Sequence, residues 1–89
     1  MTTYGPRIDL EMIGIRLGDK LILAADETKT CIVTRLYPTE VKYDGELLSL
    51  TAAAAKAMGT EDANGPRDWT FEGQTIDDRR TVFREWHLR

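Results

Sequence analysis

The chain has 89 residues, of which 42% are hydrophobic and 30% charged, and its formal net charge is −3. This length supports one domain with a single modest core, and the composition is that of a folded protein rather than a disordered tail. No apolar segment approaches the roughly 18 residues of a membrane-spanning helix, and no basic region followed by an apolar run opens the sequence. The chain is therefore expected to fold as a cytoplasmic protein without a membrane partner.

The charge is unevenly distributed along the chain. Residues 1–63 contain 7 basic and 10 acidic side chains, whereas residues 64–89 contain 5 of each. Sequence-independent DNA affinity depends on Lys and Arg neutralising phosphates, so an acidic chain argues against a general nucleic-acid binder. Any anion-binding surface is expected to be local and nearer the C-terminus.

The first predicted elements are a flexible lead-in over residues 1–7, which contain a Gly-Pro pair, and a short helix in "IDLEMIGI". Ile8, Met12 and Ile15 fall roughly on one helical face. Gly14 stands where such a helix would end.

An antiparallel β-meander of three or four strands is predicted over residues 20–48. A Gly-Asp turn precedes the first apolar strand, residues 20–24, and Pro38 ends the β-branched strand "TCIVTRLY". Asp44-Gly45 is typical of a two-residue type I′ hairpin turn, since both positions tolerate a positive φ.

A helix with almost no side chains follows the meander. Ser49 is a good N-cap and Gly59 a good C-terminal stop, so "LTAAAAKAM" is predicted to form a helix of about nine residues. "TEDANGPRD" is expected to be a polar loop. In "WTFEGQTI", Trp69 and Phe71 are predicted to share one face of a short strand.

The last element is predicted to be an amphipathic helix that begins with Thr75 or Asp77 as its cap and continues to the end. Arg79 falls inside the apolar stripe, where an unpaired guanidinium is costly, so it needs a carboxylate, backbone carbonyls or an external anion. The stripe expected to face the core consists of Ile76, Val82, Phe83 and Trp86.

The flanks of this helix are segregated by charge. Arg80, Arg84 and His87 line up on one side of the apolar stripe. Asp78 and Glu85 lie opposite. The basic flank is the natural candidate for contact with an anion.

Residues for catalysis are scarce. His87 has no plausible nucleophile beside it, and the single cysteine, Cys31, is expected to fill core space. No metal-ligand spacing and no glycine-rich phosphate loop is present. The chain is therefore predicted to be non-enzymatic, without a cofactor or metal.

Two groups of residues could contact a ligand. The N-terminus of the alanine helix offers free N–H groups beside Ser49 and Thr51, with Lys56 further along, which could hold a phosphate. The alternative is that Ser49 only caps the helix and the alanines let it lie close on the meander. Asn64 could read an adenine edge and Trp69 could stack on a base, or the two could be a turn residue and a core residue.

Five segments, taken in order, resemble the RAMA domain (restriction enzyme adenine methylase associated) and its sister family attached to some GIY-YIG proteins. They are "DLEMIGIRLGDKL", "GELLSL", "TAAAAKAMG", "NG" with a tryptophan five positions after the asparagine, and "TIDDRR". The resemblance spans about residues 9–80. It implies an α+β fold and a DNA-binding or modified-DNA-sensing module of a restriction-modification or other DNA-processing system.

The resemblance also implies site residues. The family's serine, asparagine, tryptophan and arginine fall on Ser49, Asn64, Trp69 and Arg80. The chain departs from the family at Thr51, where a histidine is common, and at Pro66, where a second tryptophan is frequent. The full set expected to contact double-stranded DNA is Ser49, Thr51, Lys56, Asn64, Arg67, Trp69, Arg79, Arg80 and Arg84.

A protein-binding module is the second hypothesis. An acidic chain of this size could be a phage-encoded inhibitor that docks on a restriction or CRISPR complex, and a methyltransferase or nuclease would be a comparable partner. The acids that would imitate phosphates are Asp26, Glu27, Glu61 and Asp62. The sequence does not encode the oligomeric state, although an exposed meander edge would permit pairing.

Overall fold

A computed structural model describes residues 10–36 and 38–87, with only the backbone at His87. In chain order it contains a 3-10 helix (Glu11–Ile13), strands β1 (Lys20–Leu23), β2 (Asp26–Leu36), β3 (Thr39–Tyr43) and β4 (Glu46–Leu48), helices α1 (Leu50–Met58) and α2 (Gly65–Asp68), strands β5 (Trp69–Phe71) and β6 (Gln74–Thr75), and helix α3 (Ile76–His87). The predicted α+β class is confirmed. The expected lead-in over residues 1–7 lies outside the described residues.

The six strands form one antiparallel sheet in the order β4-β3-β2-β1-β5-β6. The predicted meander is β1 to β4, and the β5–β6 hairpin joins it at β1. The predicted hairpin turn is confirmed, because Asp44 has φ 51°, Gly45 has φ 80° and Tyr43 pairs with Glu46. Local turn chemistry therefore sets the register of this edge of the sheet.

Only one face of the sheet is covered. Along β1 the side chains of Leu21 and Leu23 are buried, whereas Ile22 between them is 37% exposed. The core cluster combines these strand residues with residues of the helices and of the N-terminal segment. The helices thus lie on one side, and the opposite side is an open face.

Helix α1 matches its predicted length and both of its ends. Ser49 Oγ accepts a hydrogen bond from the backbone N of Ala52 at 3.1 Å, and Gly59 takes the left-handed conformation with φ 69°. Ala53 and Ala54 are fully buried against the sheet. Methyl side chains allow the helix backbone to lie close to β3 and β4, which is the alternative predicted for the alanines.

The segment predicted as a polar loop contains helix α2, so that prediction is wrong over residues 65–68. Asn64 Oδ1 accepts a hydrogen bond from the backbone N of Arg67 at 3.2 Å, and Pro66 occupies the first turn. An Asn N-cap followed closely by Pro is a helix-start signal, and it was available in the sequence.

The N-terminal helix ends at Gly14 as predicted, with φ 91°, but its buried face differs from the expected one. Leu10, Ile13 and Ile15 are buried, whereas Met12 is 40% exposed. The element is a single 3-10 turn, so α-helical spacing does not apply to it. Ile8 lies outside the described residues.

Helix α3 is capped by Thr75, whose Oγ1 accepts a hydrogen bond from the backbone N of Asp78 at 3.1 Å. The predicted core stripe is confirmed at Ile76 and at Phe83, which is partly buried against the core cluster, but it is wrong at Val82 and Trp86. Ile76 is fully buried, but Val82 is 43% and Trp86 is 72% exposed. The helix extends past the end of the core, which a helical wheel does not reveal. None of the helices in the described ranges is long and apolar enough to cross a membrane.

Candidate functional site

The N-terminus of α1 is covered by α2. A β-carbon placed on Gly65 would stand 2.5 Å from Cβ of Leu50 and 2.8 Å from the backbone N of Thr51. The backbone N of Gly65 also donates a hydrogen bond to Thr51 Oγ1 at 3.1 Å. Thr51 Oγ1 therefore accepts a bond from within the chain and Ser49 caps α1, while both residues remain exposed, so a phosphate site at Ser49 and Thr51 stays a prediction.

Trp69 is a core residue. Its side chain is fully buried, and its Nε1 donates a hydrogen bond to the backbone O of Leu50 at 3.0 Å. Its ring lies 6.2 Å from that of Tyr43, tilted by 58°. Stacking of Trp69 on a base or sugar is therefore a wrong prediction, and the alternative of a core tryptophan is confirmed.

Asn64 and Arg67 belong to the cap of α2. The backbone N of Asn64 donates a hydrogen bond to Asp68 Oδ2 at 2.8 Å, and Arg67 Nε donates one to Asp68 Oδ1 at 3.1 Å. Burial raises the pKa of Asp68, but the hydrogen bonds from Arg67 and Asn64 together hold that pKa below its ordinary value. The role of Asn64 and Arg67 as DNA contacts stays a prediction, and in this structure both serve the cap.

Lys56 lies in the last turn of α1, far along the helix from Ser49. Its Nζ forms an ion pair with Glu46 and approaches Asp44 Oδ2 at 3.9 Å. The hydrogen bond to Glu46 raises the pKa of Lys56. Two carboxylates of the β3–β4 hairpin therefore surround this cation, which does not join the predicted site.

Arg79 finds the partners that its position in the stripe requires. Its Nε and NH2 atoms donate hydrogen bonds to the backbone O of Ile13 at 3.2 and 2.7 Å, and NH1 lies 3.5 Å from Glu72 Oε1. The guanidinium carbon also stands 5.0 Å from the ring centroid of Phe71. Arg79 therefore ties α3 to the N-terminal segment, and its role as a DNA contact stays a prediction.

The remaining basic residues of the predicted set lie on α3. Arg80 is half-buried and Arg84 is exposed. Their role as DNA contacts stays a prediction. The residues predicted to form one DNA-binding site are thus dispersed over the core, two helix caps and one flank of α3.

A different surface is formed where α3 runs past the core. An open groove of about 260 Å³ lies between α3 and the 3-10 helix. Trp86, Val82 and Met12 line it and are 72%, 43% and 40% exposed. We call this surface the α3 groove; it is lined by Met12, Ile13, Gln74, Arg79, Val82, Phe83 and Trp86. The sequence signal for it was present, but Val82 and Trp86 were assigned to the core.

Acidic side chains border the α3 groove. Asp78 lies four residues before Val82 on α3 and Glu85 three residues after it, so both adjoin Val82 on the helix surface. Glu72 pairs with Arg79, the one cation among the lining residues. An exposed glutamate, Glu11, precedes Met12 on the 3-10 helix. Arg80 lies three residues before Phe83, which lines the groove, so charges of both signs border it.

The open face of the sheet carries mainly basic side chains among its charged residues. Ile32 pairs with Lys20 on β1 and with Lys42 on β3, so the three side chains form one row across the sheet. Arg35 pairs with Glu40 further along β2. This row presents exposed isoleucine between exposed lysines in a chain with a net charge of −3.

Within residues 10–36 and 38–87, no group of three or more His, Cys, Asp or Glu side chains could hold a metal ion. Cys31 is buried, and burial raises the pKa of its thiol to about 12 despite a hydrogen bond from the backbone of Leu21. Comparison of the chain with family models, curated proteins and solved structures finds no match. The resemblance to the RAMA domain therefore stays a prediction from the sequence.

Proposed function

We propose that this chain is a non-enzymatic protein-binding module whose contact surface is the α3 groove. One observation carries the proposal: Trp86 is 72% exposed beside Val82 and Met12, which are themselves about two-fifths exposed. Contiguous exposed apolar side chains on a small domain mark interaction surfaces more often than single ones do. Tryptophan is also enriched among the residues that dominate binding energy at protein interfaces.

The exposed apolar lining favours a protein over DNA at this groove. Asp78 and Glu85 would face the phosphates of a duplex, and like charges brought together oppose binding. A protein partner can place apolar side chains in the groove and charged side chains at its rim. The groove therefore carries the proposal, and the finer idea of a phage-encoded inhibitor that imitates phosphates with other acids stays a prediction.

The proposal is tested by placing a photo-crosslinking amino acid at Asp78, which adjoins Val82 on α3, in the organism that makes the protein. The parent and Trp86→Ala are compared with Leu47→Ala, which removes another exposed apolar side chain, 58% exposed and on the open face. One partner should crosslink in the parent and in Leu47→Ala but not in Trp86→Ala. The purified partner should then bind Trp86→Ala at least about 30-fold more weakly than the parent, as expected for truncation of a dominant interface residue.

Equal binding of that partner to the parent and to Trp86→Ala would contradict the proposal. Equal loss of crosslinking in Trp86→Ala and Leu47→Ala would mean that the partner contacts another surface or binds non-specifically.

DNA binding is the second candidate, and the open face of the sheet favours it. Lys20, Arg35 and Lys42 lie on this face, and the RAMA-like pattern of the sequence points to the same function. A two-stranded β-ribbon can enter the major groove, and lysine and arginine contact phosphates there. In this case the contacts differ from those first predicted around the alanine helix.

A mobility-shift series over salt concentration tests this candidate. Three phosphate contacts give a slope of log K against log salt of about −2.7. Lys20→Ala/Lys42→Ala should reduce that slope by about 2 units, whereas Lys29→Ala/Lys56→Ala should leave it unchanged. Absence of retardation at low salt, or equal effects of the two double variants, would exclude the open face as a DNA surface.

A further inference from the structure

We infer that Asn64-Gly65 is a latent site of spontaneous deamidation, which the contact between α1 and α2 keeps closed until α2 opens. Asparagine is among the chemically labile residues of proteins, and a glycine after it leaves the following backbone N without a shielding Cβ. Asn64 is the only asparagine in the chain. The inference does not depend on the α3 groove or on the open face of the sheet, because neither contains these two residues.

The reaction needs only water as a co-reactant. The backbone N of Gly65 loses its proton and attacks Cγ of Asn64, the side-chain amide nitrogen takes up a proton and leaves as ammonia, and a cyclic succinimide remains. Water then opens this ring at either of its carbonyl groups. One opening gives aspartate, and the other gives isoaspartate, in which the main chain passes through Cβ and Cγ. An amide and a water molecule thus become a carboxylic acid and ammonia, without oxidation or reduction.

Both reacting groups are engaged in the folded chain. Gly65 is buried, and its backbone N, the nucleophile, donates a hydrogen bond to Thr51 Oγ1 at 3.1 Å. Asn64 Oδ1 accepts a hydrogen bond from the backbone N of Arg67 at 3.2 Å. Removal of the proton from the Gly65 N would break the first bond, and turning Cγ of Asn64 toward that nitrogen would break the second.

The backbone also holds the reacting atoms apart. Asn64 has φ −140° and ψ 108°, which places its Cβ and the backbone N of Gly65 on opposite sides of the Cα–C bond. Ring closure requires the two atoms on the same side, so this peptide group must rotate. Gly65 has no room to rotate in place, since a β-carbon added to it would stand 2.5 Å from Cβ of Leu50. Ring closure therefore requires a local opening in which α2 separates from α1.

The two products differ in whether α2 can close again. Aspartate at this position would still cap α2, because Asp and Asn are comparable N-cap residues. Isoaspartate adds a methylene to the main chain and displaces the capping oxygen from the backbone N of Arg67. The same displacement moves Gly65 from its contact with Leu50. Each opening that leads to isoaspartate is therefore retained as a covalent change that keeps α2 open.

Mass spectrometry of the intact chain, with peptide mapping, measures the deamidation rate at neutral pH, and the single asparagine makes the assignment direct. The folded parent should deamidate at least about thirtyfold more slowly than the parent unfolded in guanidinium chloride. Thr51→Val removes the acceptor of the Gly65 N and should speed the reaction of the folded protein about fivefold or more, as expected for the net loss of one hydrogen bond.

Thr60→Val is the matched control, and both variants are first checked for parental circular dichroism. Thr60 Oγ1 also accepts a hydrogen bond from a backbone N at 3.1 Å, that of Asp62, in the segment between α1 and α2. Thr60→Val therefore loses the same kind of bond without touching Gly65, and it should keep the parental deamidation rate.

Three results would overturn the inference: an unfolded parent that does not deamidate, a folded parent that reacts as fast as the unfolded chain, or equal acceleration in Thr51→Val and Thr60→Val. The isoaspartyl protein, isolated by chromatography, tests the consequence for α2. Its urea unfolding midpoint should lie below that of Asn64→Asp, which has the same mass and charge but an unaltered main chain. Equal midpoints would overturn the claim that isoaspartate keeps α2 open.

Discussion

The indole Nε1 of Trp69 donates a hydrogen bond to the backbone O of Leu50, 19 positions earlier in the chain, at 3.0 Å. Trp69 begins β5 and Leu50 begins α1, so one bond joins the sheet to the start of the alanine helix. Both residues lie in the core cluster. Trp69, which the sequence analysis predicted to stack on a base, thus stabilises the fold by joining β5 to α1.

Trp69→Phe should lower the free energy of unfolding by about 2–4 kcal/mol, because it removes both a buried hydrogen bond and part of a buried ring. Urea unfolding followed by circular dichroism measures the change. Trp86→Phe is the matched control, since it makes the same substitution at an exposed site and should cost less than about 0.5 kcal/mol. Equal costs at the two positions would contradict the buried role of Trp69.

Gly65→Ala should destabilise the protein by about 2 kcal/mol or more. The added methyl would stand 2.5 Å from Cβ of Leu50 and 2.8 Å from backbone atoms, so α1 and α2 would have to separate. Alanine in the first turn of a helix would otherwise be favourable by about 0.5–1 kcal/mol. The sign of the change therefore tells whether the two helices are in contact.

Gly45→Ala is the comparison for that measurement. Gly45 has open space around it but a positive φ of 80°, so its cost arises from the backbone alone. That cost should be about 1–2 kcal/mol. A Gly65→Ala protein that is more stable than the parent would show that α2 does not cover the α1 N-terminus.

Turns and caps explain why much of the fold was predictable. Asp44-Gly45, Ser49 and Gly59 act on residues next to them, so short sequence patterns identify the hairpin and the ends of α1 correctly. The burial of Trp69 depends on Leu50, which is distant in sequence. No local pattern contains that information.

The candidate site depended even more on long-range packing. A helical wheel gives the direction of the apolar side of α3 but not the point where the core ends, so Trp86 was assigned to the interior. The partners of Arg79 also come from distant segments, since Ile13 lies 66 residues away. Residue type alone predicted that this arginine needed partners, and the fold decided which ones.

The stability of the protein should depend on pH through the carboxyl group of Asp68. Burial raises the pKa of Asp68, but hydrogen bonds from Arg67 and Asn64 together lower it by more than burial raises it. The folded pKa therefore lies below the ordinary value of 3.8. The resulting stabilisation is complete above the unfolded pKa and is lost as the pH falls through the folded pKa. Asp68→Asn should therefore be less stable than the parent at pH 7 and should approach it below about pH 4.

Urea unfolding midpoints of Asp68→Asn and the parent, taken between about pH 7 and about pH 2.5, measure how the two stabilities converge. This range brackets the ordinary carboxyl pKa values of roughly 3.9–4.3. Glu61→Gln removes one exposed charge from the same connecting segment and serves as the control. A constant difference between Asp68→Asn and the parent across the whole series would rule out Asp68 as the titrating group.

Cys31 should be unreactive in the folded protein. Its side chain is 1% exposed, and burial raises the pKa of its thiol to about 12. At pH 8 only about one such thiol in ten thousand would be ionised, and the thiolate is the reactive form. A chromogenic disulfide reagent should therefore modify Cys31 only at the rate of unfolding. Cys31→Ala/Ile32→Cys moves the thiol to the open face, one residue along β2, and should react rapidly without denaturant.

Trp86 should be dispensable for folding and visible to solvent. Because its side chain is 72% exposed, Trp86→Ala should change the free energy of unfolding by less than about 1 kcal/mol. Acrylamide should quench the fluorescence of the parent in two components, an accessible one from Trp86 and a protected one from Trp69. Trp86→Phe should retain the protected component alone. A stability loss of about 3 kcal/mol in Trp86→Ala, the size typical of core truncation, would instead mean that this side chain packs in the interior and that the α3 groove is closed to a partner.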